Sequence, residues 1–196
     1  EDIKLDFNDV LFRPKRSTLS SRKEVDMERE FTFKYSGRKW KGVPIISSNM
    51  DTVSSVSMFK KLSQHKILTC FHKFIDIKEV ITAVKEGNDP QYMMLSTGIT
   101  EPDYDKLLLN VSLLHNEDID LQFICIDVAN GYMFKLVDFC KRIRALFPNI
   151  TLIAGSVVSR EITEELIING KIDIVRVGIG SGAVCTTRLQ TGVGIP

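Results

Sequence analysis

No run of apolar residues in this 196-residue sequence approaches the length of a membrane span, and the N-terminus lacks the charged-then-apolar layout of a signal peptide. The expectation is a protein without a membrane anchor, located in the cytoplasm. Neither sign of charge dominates. With 26 Lys and Arg against 25 Asp and Glu, the formal net charge of +1 gives no field suited to nucleic acid. Arg13, Lys15, Arg16, Arg22 and Lys23 still form a local basic cluster, which fits either a solvated face or a phosphate-bearing ligand. Short paired cysteine spacings are missing too. Cys70, Cys125, Cys140 and Cys185 contain no Cys-x-x-Cys, so neither a zinc site nor a disulfide framework is suggested. There is no low-complexity segment and no composition break that would mark a second domain.

What the sequence has is a repeating order. Short apolar runs rich in β-branched residues fall at 44–47, 67–71, 92–95, 123–126, 151–154 and 174–177 and read as buried parallel strands. Segments of helical periodicity lie between them. In 132–147, Leu136, Cys140, Ile143 and Phe147 share one face while Lys135, Lys141 and Arg142 can meet water. Thr100 and Asp103 make a capping box ahead of a helix over 104–114, and Asn169-Gly170 closes a helix that begins near Arg160. Strand-to-strand intervals of roughly 23 to 31 residues suit right-handed βαβ units and not hairpins.

A doubly wound sheet and a (β/α)8 TIM barrel both fit this order. The polar residues decide between them. Each strand is followed at once by a polar or glycine-bearing cluster: Ser48-Asn49-Met50-Asp51, His72-Lys73, Ser96-Thr97-Gly98, Asp127 with Asn130-Gly131, Gly155-Ser156, and a long loop after 177. Functional groups on every strand end belong to the C-terminal face of a barrel, whereas a doubly wound sheet gathers its ligand contacts at one switch point. The expected fold is therefore an α/β TIM barrel with about six βα units, a single domain over residues 1–196. Two further units would be needed to close it, so the barrel is expected to be incomplete at the C-terminus.

The loop after the sixth strand carries the chemistry. Val177-Gly178-Ile179-Gly180-Ser181-Gly182-Ala183-Val184-Cys185-Thr186-Thr187-Arg188 sets one cysteine among glycine amides, two hydroxyls and a guanidinium. Hydrogen-bond donors and cations favour the thiolate, which is the form of cysteine that attacks. Cys70, Cys125 and Cys140 lie in apolar runs and read as core.

Several segments together resemble the GMP reductase family: Leu5-Asp6-Phe7-Asn8-Asp9-Val10-Leu11, Arg13-Pro14-Lys15-Arg16-Ser17-Thr18-Leu19, Ser21-Arg22, Asn49-Met50-Asp51-Thr52-Val53, His72-Lys73, Asp127-Val128-Ala129-Asn130-Gly131-Tyr132, and Cys185-Thr186-Thr187-Arg188 with Thr191-Gly192-Val193-Gly194. The sibling IMP dehydrogenase family shares the Asn-Met-Asp-Thr-Val strand end and the cysteine loop. The Asp-Val-Ala-Asn-Gly-Tyr segment, the basic N-terminal segment and the lack of an insertion after the second βα unit favour the reductase.

The resemblance implies NADPH-dependent reductive deamination of GMP to IMP and ammonia, with Cys185 as nucleophile and Thr187 as its catalytic companion. It implies cofactor contacts at Ser21, Arg22, Lys73, Asp127, Val128, Ala129, Ile179 and Gly180. It also implies a potassium ion held by Gly180, Gly182, Cys185 and Arg188, and a homotetramer. Alternatives are NAD-dependent oxidation of IMP, and a nucleotide-binding subunit without turnover. The sequence departs from the reductase pattern at Ser181, Ala183, Ser156 and Met133, where proline, serine, asparagine and serine are usual; these bear on substrate affinity.

Overall fold

A strand that leaves a sheet and returns parallel to itself needs a crossover, and the helices between the apolar runs supply it. The computed structural model describes residue 5 and residues 7–182 and 184–195. An antiparallel pair, β1 (Arg29–Thr32) with β2 (Lys39–Ser47), leads the sheet. There follow α1 (Val56–Leu62), β3 (Ile67–Phe71), α2 (Ile77–Lys85), β4 (Met93–Thr97), α3 (Glu101–Asn116) and β5 (Phe123–Asp127). The chain continues through α4 (Phe134–Leu146), β6 (Thr151–Val157), α5 (Arg160–Ile168), β7 (Ile174–Val177) and α6 (Thr187–Thr191). Neighbours from β2 to β7 are parallel and follow one another in chain order. A doubly wound sheet reverses its order at a switch point; this one does not.

The burial pattern makes the same distinction. Side chains alternate across a strand, so each strand contributes to two faces. Phe71, Met93, Leu95, Ile124, Ile126, Leu152 and Ala154 join the buried residues of α1 to α5 in one core. Leu68, Cys70, Met94, Phe123, Cys125 and Ile153 face the other way into a second core to which none of the described α-helices contributes a residue. Helices on one face only, around a sheet with a filled inner face, are the arrangement of a barrel. The six expected βα units are all present, and Cys70, Cys125 and Cys140 are buried as expected. Burial pushes the Cys140 thiol up to about 12.

The antiparallel hairpin forms the floor. Phe33 and Trp40 project from it into the inner core, where both rings meet Phe123 edge-on at 5.7 and 6.2 Å and Trp40 meets Tyr92 at 6.1 Å. The turn between β1 and β2 is fastened to the starts of β6 and β7 by Asp173, whose side chain is fully buried. That carboxylate accepts from the amides of Tyr35 (2.8 Å), Ser36 (3.3 Å) and Leu152 (3.1 Å) and from Arg144 (2.7 Å). The opposite, C-terminal end of the sheet is left for the polar clusters.

Candidate functional site

Asn49, Asp127 and Arg176 meet at the C-terminal end of the sheet although they come from the ends of β2, β5 and β7. Asn49 donates from Nδ2 to Asp127 Oδ2 at 2.7 Å, and Arg176 donates to Asn49 Oδ1 at 3.0 Å and to Asp127 Oδ1 at 2.5 Å. Burial works against the Arg176 charge, and the Asp127 carboxylate outweighs it, so the guanidinium is held more firmly protonated than usual. The inward face places Arg176 over Cys70 and Cys125. The hydrogen bond between those two thiols, followed by burial, raises Cys70 well above the ordinary thiol value, so neither its position nor its ionisation suits attack.

Two hollows flank this cluster. One of about 270 Å3 lies inside the sheet, between Asn49, Cys70, Cys125 and Arg176. The other, about 370 Å3, runs from Asn49 and Asp127 outward over the ends of β3 and β4, past His72, Thr97 and Gly98 to Lys73 and Phe74. His72 Nδ1 is buried there with no hydrogen-bond partner among the described residues. Lys73 pairs with Asp103 at 3.0 Å, and Asp103 completes the capping box of α3 with Thr100. A Cβ on residue 98 would collide with the Asp103 carboxylate, so a larger residue after β4 would have to displace that side chain.

The cysteine loop is rooted two residues after Arg176. Gly180 holds φ +62° and lies so close to Arg188 that an added Cβ would come within 2.9 Å of its Cγ. Cys185 follows, half-exposed, its amide donating to the Gly182 carbonyl at 3.0 Å. Thr187 opens the short α6 behind it. The thiol is held below the ordinary cysteine value, first by a hydrogen bond from the Thr187 side chain, then by the Thr187 amide, with the Arg188 charge adding to both against a small burial penalty. Arg188 also donates to the Gly182 carbonyl at 3.4 Å.

The expected cofactor residues divide into groups. Lys73 and Asp127 line the larger hollow. Val128 and Ala129 continue the chain from Asp127, with the Val128 amide bonded to the Gly155 carbonyl at 2.9 Å. Ile179 is buried and accepts from the Ile195 amide at 2.9 Å, which ties the two ends of the cysteine loop together. Ser21 caps a short 3-10 turn through the Lys23 amide, and Arg22 stands exposed beside it. Residues 8–27 are all exposed, and the hydrogen bonds described for Ser17 to Asp26 stay within that segment or reach Arg29. The described structure thus does not bring Ser21 and Arg22 to the Asp127 cluster. Of the departures from the reductase pattern, Ser156 lies in β6, Met133 precedes α4, Ser181 is exposed in the loop, and Ala183 lies outside the described residues. Among the described residues no cluster of three His, Cys, Asp or Glu side chains offers a metal site.

Arg176 was not among the residues the sequence pointed to. Its signal is a charge at the third position of a four-residue apolar run, on the inward-facing parity with Ile174.

A sheet with helices on one face, a filled interior and a polar, cysteine-bearing C-terminal rim defines an α/β-barrel protein with its chemistry at the strand ends. A profile described as the IMP dehydrogenase / GMP reductase domain matches residues 4–196, and the chain belongs to that family. It is 50% identical over 198 residues to a GMP reductase of Vibrio vulnificus (strain YJ016) and 49% identical over 199 residues to one of Aliivibrio salmonicida, with 100% of this chain and 56% of each relative covered. In three dimensions it is similar to the crystal structure of inosine 5′ monophosphate dehydrogenase from Legionella pneumophila, at a TM-score of 0.75 and 29% identity over 98% of this chain and 56% of that one. The chain therefore spans about half the length of the relatives it matches.

Proposed function

We propose that the protein containing this chain reduces GMP to IMP and ammonia with NADPH. The observation that carries the reading is Cys185: a half-exposed thiol at a barrel's C-terminal rim, held toward its anion by Thr187 and Arg188. The GMP reductase relatives at about 50% identity favour this direction over IMP oxidation, since the dehydrogenase neighbour stands at 29%.

The Cys185 Sγ adds to the purine carbon that bears the exocyclic amine. Thr187, next to the sulfur, relays a proton from water to the amine and is itself reprotonated; the carbon–nitrogen bond breaks, ammonia leaves, and the purine remains as a thioimidate on Sγ. NADPH, when bound, supplies the hydride for that carbon. The carbon–sulfur bond then breaks, and Cys185 takes back the electron pair as thiolate as IMP departs. Lys73 and the Asn49–Asp127–Arg176 cluster orient the carboxamide and ribose end of the cofactor. The unpartnered His72 Nδ1 and the hollow beside Asp127 support the fit, because both leave polar groups for a ligand to engage. Val128, Ala129, Ile179 and Gly180 line the same rim, where the backbone of Val128 is held by Gly155 and Ser156 and the carbonyl of Ile179 by Ile195, and Ser21 with Arg22 suits the extra ribose phosphate of NADPH. A potassium ion among Gly180, Gly182, Cys185 and Arg188 needs the Gly182 carbonyl, which accepts from both Arg188 and the Cys185 amide, to be released from at least one of them. We extend the reading to a cytoplasmic homo-oligomer.

The test is Cys185→Ala in the full-length protein. Turnover of GMP should be lost while GMP binding, read by calorimetry, stays within about threefold. Mass analysis of the parent quenched with GMP but no NADPH should find a purine adduct on the Cys185 peptide. Activity within about tenfold of the parent would remove Cys185 from the mechanism.

A further inference from the structure

Three sulfur-bearing side chains meet inside the barrel, and the reaction proposed above uses none of them. Cys70, Met94 and Cys125 point inward from the neighbouring strands β3, β4 and β5, and all three line the 270 Å3 hollow beside Asn49 and Arg176. Cys70 stands directly opposite Met94 in the sheet, and Cys125 is opposite Ser96, two residues further along β4. The hydrogen bond between the two thiols brings their sulfurs together. The strand spacing keeps those sulfurs from bonding covalently. With β4 between them, the backbones of β3 and β5 are two spacings apart, roughly 9–10 Å, whereas the Cα atoms of a disulfide lie within about 7 Å of each other. A bridge between these thiols therefore needs an atom that bonds to both.

We propose that Cys70, Met94 and Cys125 form a binding site for a soft monovalent metal ion, copper(I), held inside the barrel by two thiolates and a thioether. Ligand type selects the ion, because thiolate and thioether sulfur prefer copper(I) to harder cations. The described residues that line the hollow include no imidazole and no carboxylate, so zinc(II) lacks the fourth strong ligand that its closed sites take. Met94 has three rotatable bonds, which let its sulfur follow the ion. As each metal–thiolate bond forms, the thiol gives its proton to solvent, so one copper(I) enters and two protons leave. Two thiolates around a monovalent ion leave one net negative charge, and the Arg176 guanidinium, on the wall of the same hollow, offsets it. Around a divalent ion no such charge remains for Arg176 to meet. Cys70 and Cys125 are each 3% exposed and Met94 is fully buried, so water does not compete for the ion. The site needs neither GMP nor NADPH and stands apart from the reductase reading.

The experiment titrates the full-length, reduced protein under nitrogen with copper(I) supplied as its bicinchoninate complex, and reads transfer to the protein as loss of that complex's colour. The parent should take up one equivalent that Cys70→Ser and Cys125→Ser each fail to take up. Met94→Leu, which keeps the volume, should hold the ion about tenfold more weakly, and Arg176→Gln should weaken it by a similar factor. Cys185→Ala should take up as much copper as the parent. X-ray absorption at the copper edge of the loaded parent should show sulfur ligands alone. An unchanged thermal midpoint in each metal-free variant excludes misfolding, and the copper-edge measurement depends on no variant. If the parent leaves all the copper with bicinchoninate, if nitrogen or oxygen ligands appear at the copper edge, or if Cys70→Ser takes up as much copper as the parent, the site is overturned.

Discussion

At the scale of single residues, the four cysteines show how far environment separates identical groups. Burial lifts Cys140 to about 12 and, with the Cys125 contact, lifts Cys70, whereas Cys185 lies below the ordinary thiol value of 9.0 because Thr187 donates to it. The active form is the thiolate, so the rate of attack rises with pH through the thiol pKa and levels above it. Removing the donor raises that pKa. Thr187→Val should therefore move the alkylation midpoint of Cys185 with iodoacetamide to higher pH, and move the acid limb of kcat/KM the same way, whereas Thr187→Ser should leave both in place. An unchanged alkylation midpoint in the valine variant would take the Thr187 hydroxyl out of thiol activation. The distinction among cysteines was legible in sequence, since apolar neighbours mark core and glycine, threonine and arginine mark a polar loop. The partners of Asp127 were not. Asn49 and Arg176 are 78 and 49 residues away from it, and only the sheet brings them within hydrogen-bond reach.

At the scale of the element, α3 joins helix capping to the site. The Thr100 and Asp103 capping box was readable from its spacing, and the structure extends the helix back to Glu101 and on to Asn116. The sequence did not reveal that the same carboxylate holds Lys73, which is 30 residues away. Burial acts to raise the Asp103 carboxyl, but hydrogen bonds from Thr100 and Lys73 outweigh it and leave it below the ordinary aspartate value of 3.8. A carboxyl whose pKa is depressed on folding contributes stability that is complete above its unfolded pKa and is lost as pH falls through the folded one. Asp103→Ala should thus cost about 1 kcal/mol at neutral pH, the usual scale of a lost cap, and the gap from the parent should close as urea titrations are repeated below pH 3.8. A gap that stayed constant down to acid pH would mean that the carboxylate charge contributes nothing to the fold.

At the scale of the whole molecule, the six βα units were legible because buried parallel strands and amphipathic helices impose different periods on the sequence. The floor was not. β1 reads Arg-Glu-Phe-Thr, exposed at every position, and gives no two-residue apolar alternation to find. Its attachment depends on Asp173, which in sequence looks like an ordinary polar residue between a helix and a strand. The structure makes it the acceptor that joins the floor turn to β6 and, through Arg144, to the end of α4. The side chains of Asp173 and Arg144 are 0% and 12% exposed, so water cannot replace what either loses. Asp173→Ala would leave a buried guanidinium unpaired and three amides without their acceptor, a loss on the scale of about 3–5 kcal/mol. The exposed pair Arg160–Glu164, spaced four residues apart on α5, should contribute little by comparison. Because the floor lies at the N-terminal end of the strands and the cysteine loop at the other, the loss should appear as stability and not as chemistry. In the full-length protein, Asp173→Ala is expected to lower the urea midpoint with the slope unchanged, while the folded fraction at low urea retains the parent's kcat. A fall in kcat without a fall in the midpoint would show that the two ends of the barrel are coupled and that the floor helps to shape the site.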